Sequence, residues 1–164
     1  MKGNPFFTQP RPGKDEKIFK LIKFRSMTCE TDENGNLLPD EKRLTKYGKL
    51  LRSTSLDELP ELLNILVGDM SIVGPRPQLV RDMVFMSPAQ RRRHSVRPGL
   101  TGWAQINGRD ELPIDVKARL DGEYVQNMSF LFDCKCFFGT ITSVLKSEGV
   151  VEGGTGTLEK EKKE

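Results

Sequence analysis

The sequence predicts an α+β fold: a mainly helical, compact single domain with a short N-terminal β-hairpin and amphipathic helices. Three observations predict it. An apolar, β-branched run, IFKLIKFRSM, follows Pro-Gly turn chemistry at residues 11–17, which is a hairpin signal. Leu59, Leu62, Leu63 and Leu66 recur at i, i+3, i+4 and i+7, the stripe of an amphipathic helix facing a core. The stretches 113–127 and 129–146 then read as two longer helices.

The totals agree with one domain. At 164 residues the chain can bury a core of its own, and 36% hydrophobic against 30% charged residues leaves room for solvated loops. A net charge of +3 is too small to imply nucleic acid by itself, but suits a phosphorylated ligand or an anionic membrane surface. Cys29, Cys134 and Cys136 cannot all pair, and His94 stands far from them in sequence, so reduced thiols are expected rather than a disulfide framework or a zinc site. The opening residues lack the apolar region and cleavage site of a signal peptide. The most apolar stretch, 130–145, is interrupted by Asp133 and Lys135 and is too short to span a bilayer.

Within the hairpin, Lys23 and Arg25 are two apart and share one strand face, with Phe24 on the other. That face is either solvated or offers two cations to a ligand. Residues 29–41 form a polar loop with an Asn-Gly turn, expected to be flexible or to act as a lid. A short helix follows at 44–52.

Residues 52–77 are the centre of the chain. Pro60 has no N–H to give, so it belongs in a first turn, which places the helix start near Asp57. A capping carboxylate there faces unpaired N–H groups and the positive end of the helix dipole, and is expected to stay ionised near neutral pH. Asp57 and Glu58 are adjacent acids, and Arg52 and Arg76 flank them in sequence beside turn signals. Two readings stand: Ser55 and Glu58 form an ordinary capping box, or the carboxylates and cations converge on a phosphate-bearing substrate with a metal ion. Residues 70–73 suit a short strand, and the Gly-Pro-Arg-Pro turn after them restricts the backbone around Arg76. A guanidinium held in that way is suited to phosphate recognition or to capping a neighbouring carboxylate.

Residues 78–86 read as a helix, and Ser87 caps another that starts at Pro88. The Arg91-Arg92-Arg93-His94 cluster has no interleaved aromatics and no helix-turn-helix pattern, so a solvated helix face is expected and nucleic-acid binding is not. Residues 97–109 form a glycine-rich loop around Trp103. It either brings Gln105, Asn107 and Arg109 to a ligand or packs as a surface loop anchored by the tryptophan. The helix at 129–146 carries more apolar surface than one stripe needs; it is a membrane-interface or partner-facing helix, or a central buried one. From residue 148 to 164 the chain is glycine-rich and then charged, a flexible tail to a 1–147 domain.

The blocks PFFTQPRPG, FKLIKFRSM, RSTSLDELPELLNIL, GDMSIVGPRP and RPGLTGWAQINGR, in this order, resemble the bacterial phosphoglycosyl transferases of the small monotopic kind, which start glycan assembly on polyprenyl phosphate. The resemblance implies transfer of a phosphosugar from a UDP-sugar, often an N-acetylated amino sugar, to polyprenyl (undecaprenyl) phosphate. UMP is released and Asp57 carries the phosphosugar between the two half-reactions. It implies magnesium near Asp57 and Glu58, with Glu58 serving metal or proton handling. Arg76, Arg52, Lys23 and Arg25 would take the phosphate charge, and Arg97, Gln105, Asn107 and Arg109 the sugar or uridine. It implies work at the cytoplasmic face of the inner membrane. Members carry an apolar re-entrant helix before the PxFFxQ block, and this sequence lacks it; less solubility and activity than an intact member is therefore expected. The competing reading is a non-catalytic membrane- or partner-binding module in which Asp57 and Glu58 only cap a helix.

Overall fold

The structure, a computed structural model, describes residues 4–108 and 112–145. It is α+β, with the predicted hairpin first. Strands β1 (Phe6–Pro12) and β2 (Ile18–Phe24) are antiparallel, in register from Phe6 opposite Phe24 to Pro12 opposite Ile18. Among the described residues β1 pairs only with β2, so Pro10 and Pro12 interrupt no ladder on its outer side. The polar loop that follows is folded on itself: Asp32 Oδ1 accepts from the backbone N–H of Asn34 at 2.9 Å and of Asn36 at 2.8 Å, and Thr31 bridges to Leu37.

Helix α1 (Asp40–Arg43) is one turn. Helix α2 (Lys46–Ser53) is capped by Thr45, whose side chain accepts from Gly48 N. α2 lies so close to the end of the hairpin that a Cβ on Gly48 would stand 1.8 Å from the Ser26 carbonyl oxygen. A 3-10 turn, Leu56–Glu58, then leads into α3 (Glu61–Leu66), with Pro60 at its N-cap. Proline does mark the α-helix start, but Asp57 sits one turn earlier, inside the 3-10 segment. Ser55 stands before it at φ 56° with no side-chain capping bond, so of the two readings the capping box is not met.

The leucine stripe corrects the sequence expectation. Leu59, Leu62, Leu63 and Leu66 are exposed, Leu66 at 82%. The inward face of this segment is polar instead, made by Asp57, Glu61 and Asn64, all buried. The reason lies in what that face meets. Asn64 Nδ2 donates to Lys20 O at 2.9 Å, and its Oδ1 accepts from Ile22 N at 3.1 Å, so the helix docks on the outer edge of β2 by completing that strand's peptide hydrogen bonds.

β3 (Ser71–Val73) pairs in parallel with β4 (Gly99–Thr101). Between them, residues 78–86 form a 3-10 stretch, Val80–Phe85, rather than the predicted α-helix. α4 (Pro88–Arg91) starts as expected, with a complete Ser87–Gln90 capping box, and runs into the 3-10 turn Arg92–Ser95. Arg93 and His94 are buried there, which corrects the expected solvated face: Arg93 is neutralised by Asp121, and Arg91 and His94 both meet Glu16 at the hairpin turn. The predicted glycine-rich loop at 97–109 contains β4 and α5 (Trp103–Ile106). α6 (Ile114–Asn127) and α7 (Phe130–Leu145) follow as predicted.

Among the described residues two small cores hold these parts together. Phe19, Leu21 and Met70, with Ile65, join the hairpin to α3, while Val73, Tyr124 and Cys136 join β3 to α6 and α7, with Trp103, Ile106, Val125 and Phe132 packed around them. The Tyr124 hydroxyl donates to Asp133 Oδ1 at 2.7 Å and lies 3.3 Å from Val73 O, fixing the two long helices to the strand. α7 is not a central buried helix: Phe130 and Leu131 are about four-fifths exposed, and Phe137, Phe138 and Ile141 are exposed too. Among the described residues no helix is long and apolar enough to cross a membrane, and the three cysteines are free thiols. The expected tail, 148–164, lies outside the described residues.

Candidate active site

Asp57 and Glu58 sit where the hairpin, α2 and the Gly-Pro-Arg-Pro turn come together. Lys23 reaches in from β2, with Nζ 2.7 Å from Glu58 Oε1 and 3.2 Å from Glu61 Oε1. Arg76 forks onto the same carboxylate: its Nη2 donates to Glu58 Oε1, and its Nη1 to Glu58 Oε2 at 3.3 Å. Both oxygens of Glu58 are therefore held by cations. Burial alone would raise its pKa, but Arg76 and Lys23 outweigh that cost and hold the carboxyl well below the usual carboxylate range.

Asp57 is in a different state. It is 9% exposed, and no hydrogen bond or ion pair joins its carboxylate to another described residue. Burial and the neighbouring Glu58 push its pKa up from 3.8, opposed by Lys23, Arg52 and Arg76. The expected stabilisation by a helix N-terminus is absent because Asp57 is not the cap of α3. Three nearby cations, rather than a helix dipole, favour its anion. Glu61, deeper still, also has its pKa raised by burial, with Lys23 pulling the other way and Glu58 adding to the rise.

The remaining predicted residues divide. Arg52 lies close enough to favour the Asp57 anion, and its Nε donates to Ser26 Oγ at 3.1 Å. Arg25 does not join the group: it lies past the end of β2, and its guanidinium donates to Asn4 O, Phe6 O and Cys29 Sγ. The shared face with Lys23 is lost where the strand stops. Arg97 is exposed, and its carbonyl packs against Gly74, two residues before Arg76. Gln105 has its amide nitrogen and oxygen both buried, and Asn107 donates to Trp103 O at 2.7 Å, so neither amide is turned toward the Asp57–Glu58 pair by any contact seen among the described residues. Arg109 lies outside the described residues. The glycines of this segment admit the chain itself rather than a ligand. A Cβ on Gly99 would stand 2.1 Å from Gly74 N, and one on Gly102 would stand 2.1 Å from Gly74 O.

The family model of the bacterial sugar transferases matches residues 1–147. The chain belongs to that family. It is an enzyme of the sugar transferase class. The chain is 53% identical over 159 residues to a Bacillus subtilis (strain 168) protein named "Uncharacterized sugar transferase EpsL", a match covering 96% of this chain and 79% of that one. It is 42% identical over 151 residues to the Escherichia coli (strain K12) UDP-glucose:undecaprenyl-phosphate glucose-1-phosphate transferase, covering 85% of this chain and 32% of the relative. A third relative, from Aeromonas hydrophila, is named UDP-N-acetylgalactosamine-undecaprenyl-phosphate N-acetylgalactosaminephosphotransferase; it is 36% identical over 155 residues, covering 90% of this chain and 37% of its own. The chain thus spans about a third of the length of the last two relatives.

Sequence reading of this family member missed four residues that build the site. Glu61 and Asn64 were hidden by the leucines between them, although their spacing from Asp57, i+4 and i+7, marks one helix face. Arg11 and Arg93 lie far from the site in sequence, and only the fold brings them to the Gly-Pro-Arg-Pro turn.

Among the described residues no cluster of three or more His, Cys, Asp or Glu side chains forms a cation cage. A magnesium site that uses one carboxylate with substrate phosphate oxygens needs no such cage, and Asp57 fits that role. Glu58 fits it less well, because each of its oxygens already accepts from a cation.

Proposed function

We propose that this chain transfers a phosphosugar from a UDP-sugar to polyprenyl phosphate, releasing UMP, through a covalent intermediate on Asp57. The observation that carries the reading is the division of labour between adjacent carboxylates: Glu58 is saturated by Lys23 and Arg76, and Asp57 is unpaired among the described residues beside the same cations. In the first half-reaction an Asp57 oxygen attacks the β-phosphorus. The bond from that phosphorus to the bridging oxygen breaks, and UMP leaves with the electron pair. In the second, an oxygen of polyprenyl phosphate attacks the same phosphorus and Asp57 departs as a carboxylate. Asp57 must be ionised to attack, and Lys23, Arg52 and Arg76 favour that form. Arg76, about 38% exposed, brings its positive charge to the phosphate while Glu58 keeps its guanidinium in place.

Magnesium would be held by Asp57 together with phosphate oxygens of the donor, and would supply neutralisation of the diphosphate charge. Glu58 enters metal or proton handling only by releasing one of its cations; its first role in this reading is to orient Arg76 and Lys23.

The names of two relatives support the acceptor and the donor class, since both contain a UDP-sugar and undecaprenyl phosphate. They differ in the sugar, glucose in one and N-acetylgalactosamine in the other, and the amino-sugar donor is our choice between them. The exposed leucines of α3 and the exposed phenylalanines of α7 support work at a membrane surface, which for a polyprenyl acceptor in bacteria is the cytoplasmic face of the inner membrane.

The test is a panel of UDP-sugars with magnesium and polyprenyl phosphate, read by UMP release. Release with at least one donor, dependent on the acceptor for turnover, is the expected result. No UMP from any donor, in protein shown to be folded and lipid-bound, would leave the binding-module reading.

A further inference from the structure

The turn that carries Arg76 is anchored through three successive carbonyls. Pro75 and Pro77 have no N–H, so from Pro75 onward the turn lacks two of the donors that an ordinary strand would use. Its acceptors are held instead: Gly99 N donates to Pro75 O at 3.0 Å, Arg93 Nη2 to Arg76 O at 2.7 Å, and Arg11 Nη1 to Pro77 O at 3.2 Å. The two guanidiniums come from segments far apart in sequence, β1 and the 3-10 turn after α4.

Each is itself fixed. Arg93 is 6% exposed and lies 2.8 Å from Asp121 Oδ2 on α6, which is 2% exposed. Arg11 Nη2 donates to Gln9 Oε1 at 2.7 Å, and its Nε is buried. A buried ion pair used only for stability is commonly replaceable by apolar packing, so one that spends a donor on a neighbouring carbonyl invites a positional role. The forked group of Arg11 grips the turn with one arm and Gln9 with the other, while Arg93 sets a single nitrogen, Nη2, between the Arg76 carbonyl and Asp121.

We infer that Arg11 and Arg93 are positioning residues that set the Arg76 guanidinium against Glu58 and the reacting phosphate. The inference rests on the transferase reading for its consequence in turnover, but not for the positioning itself. Arg76 reaches out from its backbone toward Glu58, and a shift of its carbonyl by a fraction of an ångström moves the tip of the side chain by more. Displacements on the order of 1 Å at such a group can cost about a hundredfold in rate.

Two measurements on the full chain in lipid nanodiscs separate the positioning from the reaction. The variants are Arg11→Met, and Arg93→Met combined with Asp121→Leu so that no buried carboxylate is stranded. Solvent exchange of the Arg76 side-chain N–H groups, followed by NMR without any substrate, is expected to accelerate about tenfold or more in each, while the amides of β2 keep their protection. UMP release is expected to fall about tenfold or more in kcat with KM nearly constant, and in an Arg76→Ala background the same changes should cost less than about twofold further. Unchanged Arg76 exchange in a folded variant would overturn the inference, as would losses that simply add to that of Arg76→Ala. Arg11 forms no ion pair among the described residues, so Arg11→Met decides the question if the Arg93 combination does not fold. If the unaltered chain releases no UMP from any donor the transferase reading falls, and the exchange measurement still decides the positioning.

Discussion

Lys23 Nζ lies 2.7 Å from Glu58 Oε1, so a residue of the N-terminal hairpin neutralises the carboxylate next to Asp57. Through that contact Lys23 acts on two carboxyl groups in the same direction, lowering the pKa of both Glu58 and Asp57. Glu58 acts on Asp57 in the opposite direction.

The acid limb of the rate profile should follow from these signs. Adduct formation needs ionised Asp57, so the rate should fall as pH drops through a midpoint above 3.8. Lys23→Met removes a group that favours the anion and should move that midpoint up. Glu58→Gln removes a group that opposes it and should move the midpoint down, even where the maximal rate is lowered by the loss of Arg76 orientation. Rate profiles of single-turnover UMP release across pH check both directions.

Stability should respond to acid with a matching sign. The folded-state pKa of Glu58 is depressed from 4.5, so its ion pairs contribute fully above that value and the contribution is lost as pH falls below it toward the folded value. Thermal unfolding followed from pH 6 to about pH 3 should decline less steeply for Glu58→Gln than for the unaltered chain. Asp57 has the reverse sign, since its folded pKa is raised and its ionisation works against folding. Asp57→Asn should therefore leave stability near neutral pH unchanged or slightly higher.

Asn64 should be a stability residue rather than a catalytic one. Its amide satisfies Ile22 N–H and Lys20 C=O, and it is 2% exposed. Asn64→Leu leaves both peptide groups unpaired in the interior and should cost about 2–4 kcal/mol in denaturant unfolding.

The exposed leucines should matter for lipid and not for folding. Leu66 and Val67 are 82% and 74% exposed, so changing both to Gln should alter folding stability by roughly 0.5 kcal/mol or less each. If the α3 face enters a lipid interface, each loses about 1 kcal/mol or more of apolar transfer, and partition to anionic vesicles should weaken about tenfold or more for the pair. Vesicle sedimentation reads this directly, and unchanged partition would place the lipid contact elsewhere.

Much of the fold was legible because local signals agreed with their surroundings. The Pro-Gly turn between two apolar runs, Ser87 as a cap, and the long periodic stretch at Ile114–Asn127 all specify structure within a few residues of themselves. The leucine stripe of α3 was read on the wrong side because periodicity identifies an apolar face without naming the medium it meets; here the interior supplied peptide groups and Lys23, and the polar face won it. The same ambiguity left α7 open between a buried and an interfacial helix. At the site, Asp57, Glu58, Arg76 and Lys23 could be named from residue type and order. Arg25 could not be separated from Lys23 without knowing where β2 ends. The state of Asp57 depended on burial, which spacing does not encode. Arg11 and Arg93 act through main-chain carbonyls, and no side-chain pattern announces that.

The central claim is that Asp57 is the residue that carries the phosphosugar. Intact-mass analysis of the chain incubated with its UDP-sugar and magnesium, without polyprenyl phosphate, tests it most directly. The expected result is a phosphosugar mass added to the protein with UMP released in equal amount, mapped by fragmentation to Asp57 and absent from Asp57→Asn. UMP release and lipid product with no adduct on Asp57, or with Asp57→Asn still turning over, would contradict it.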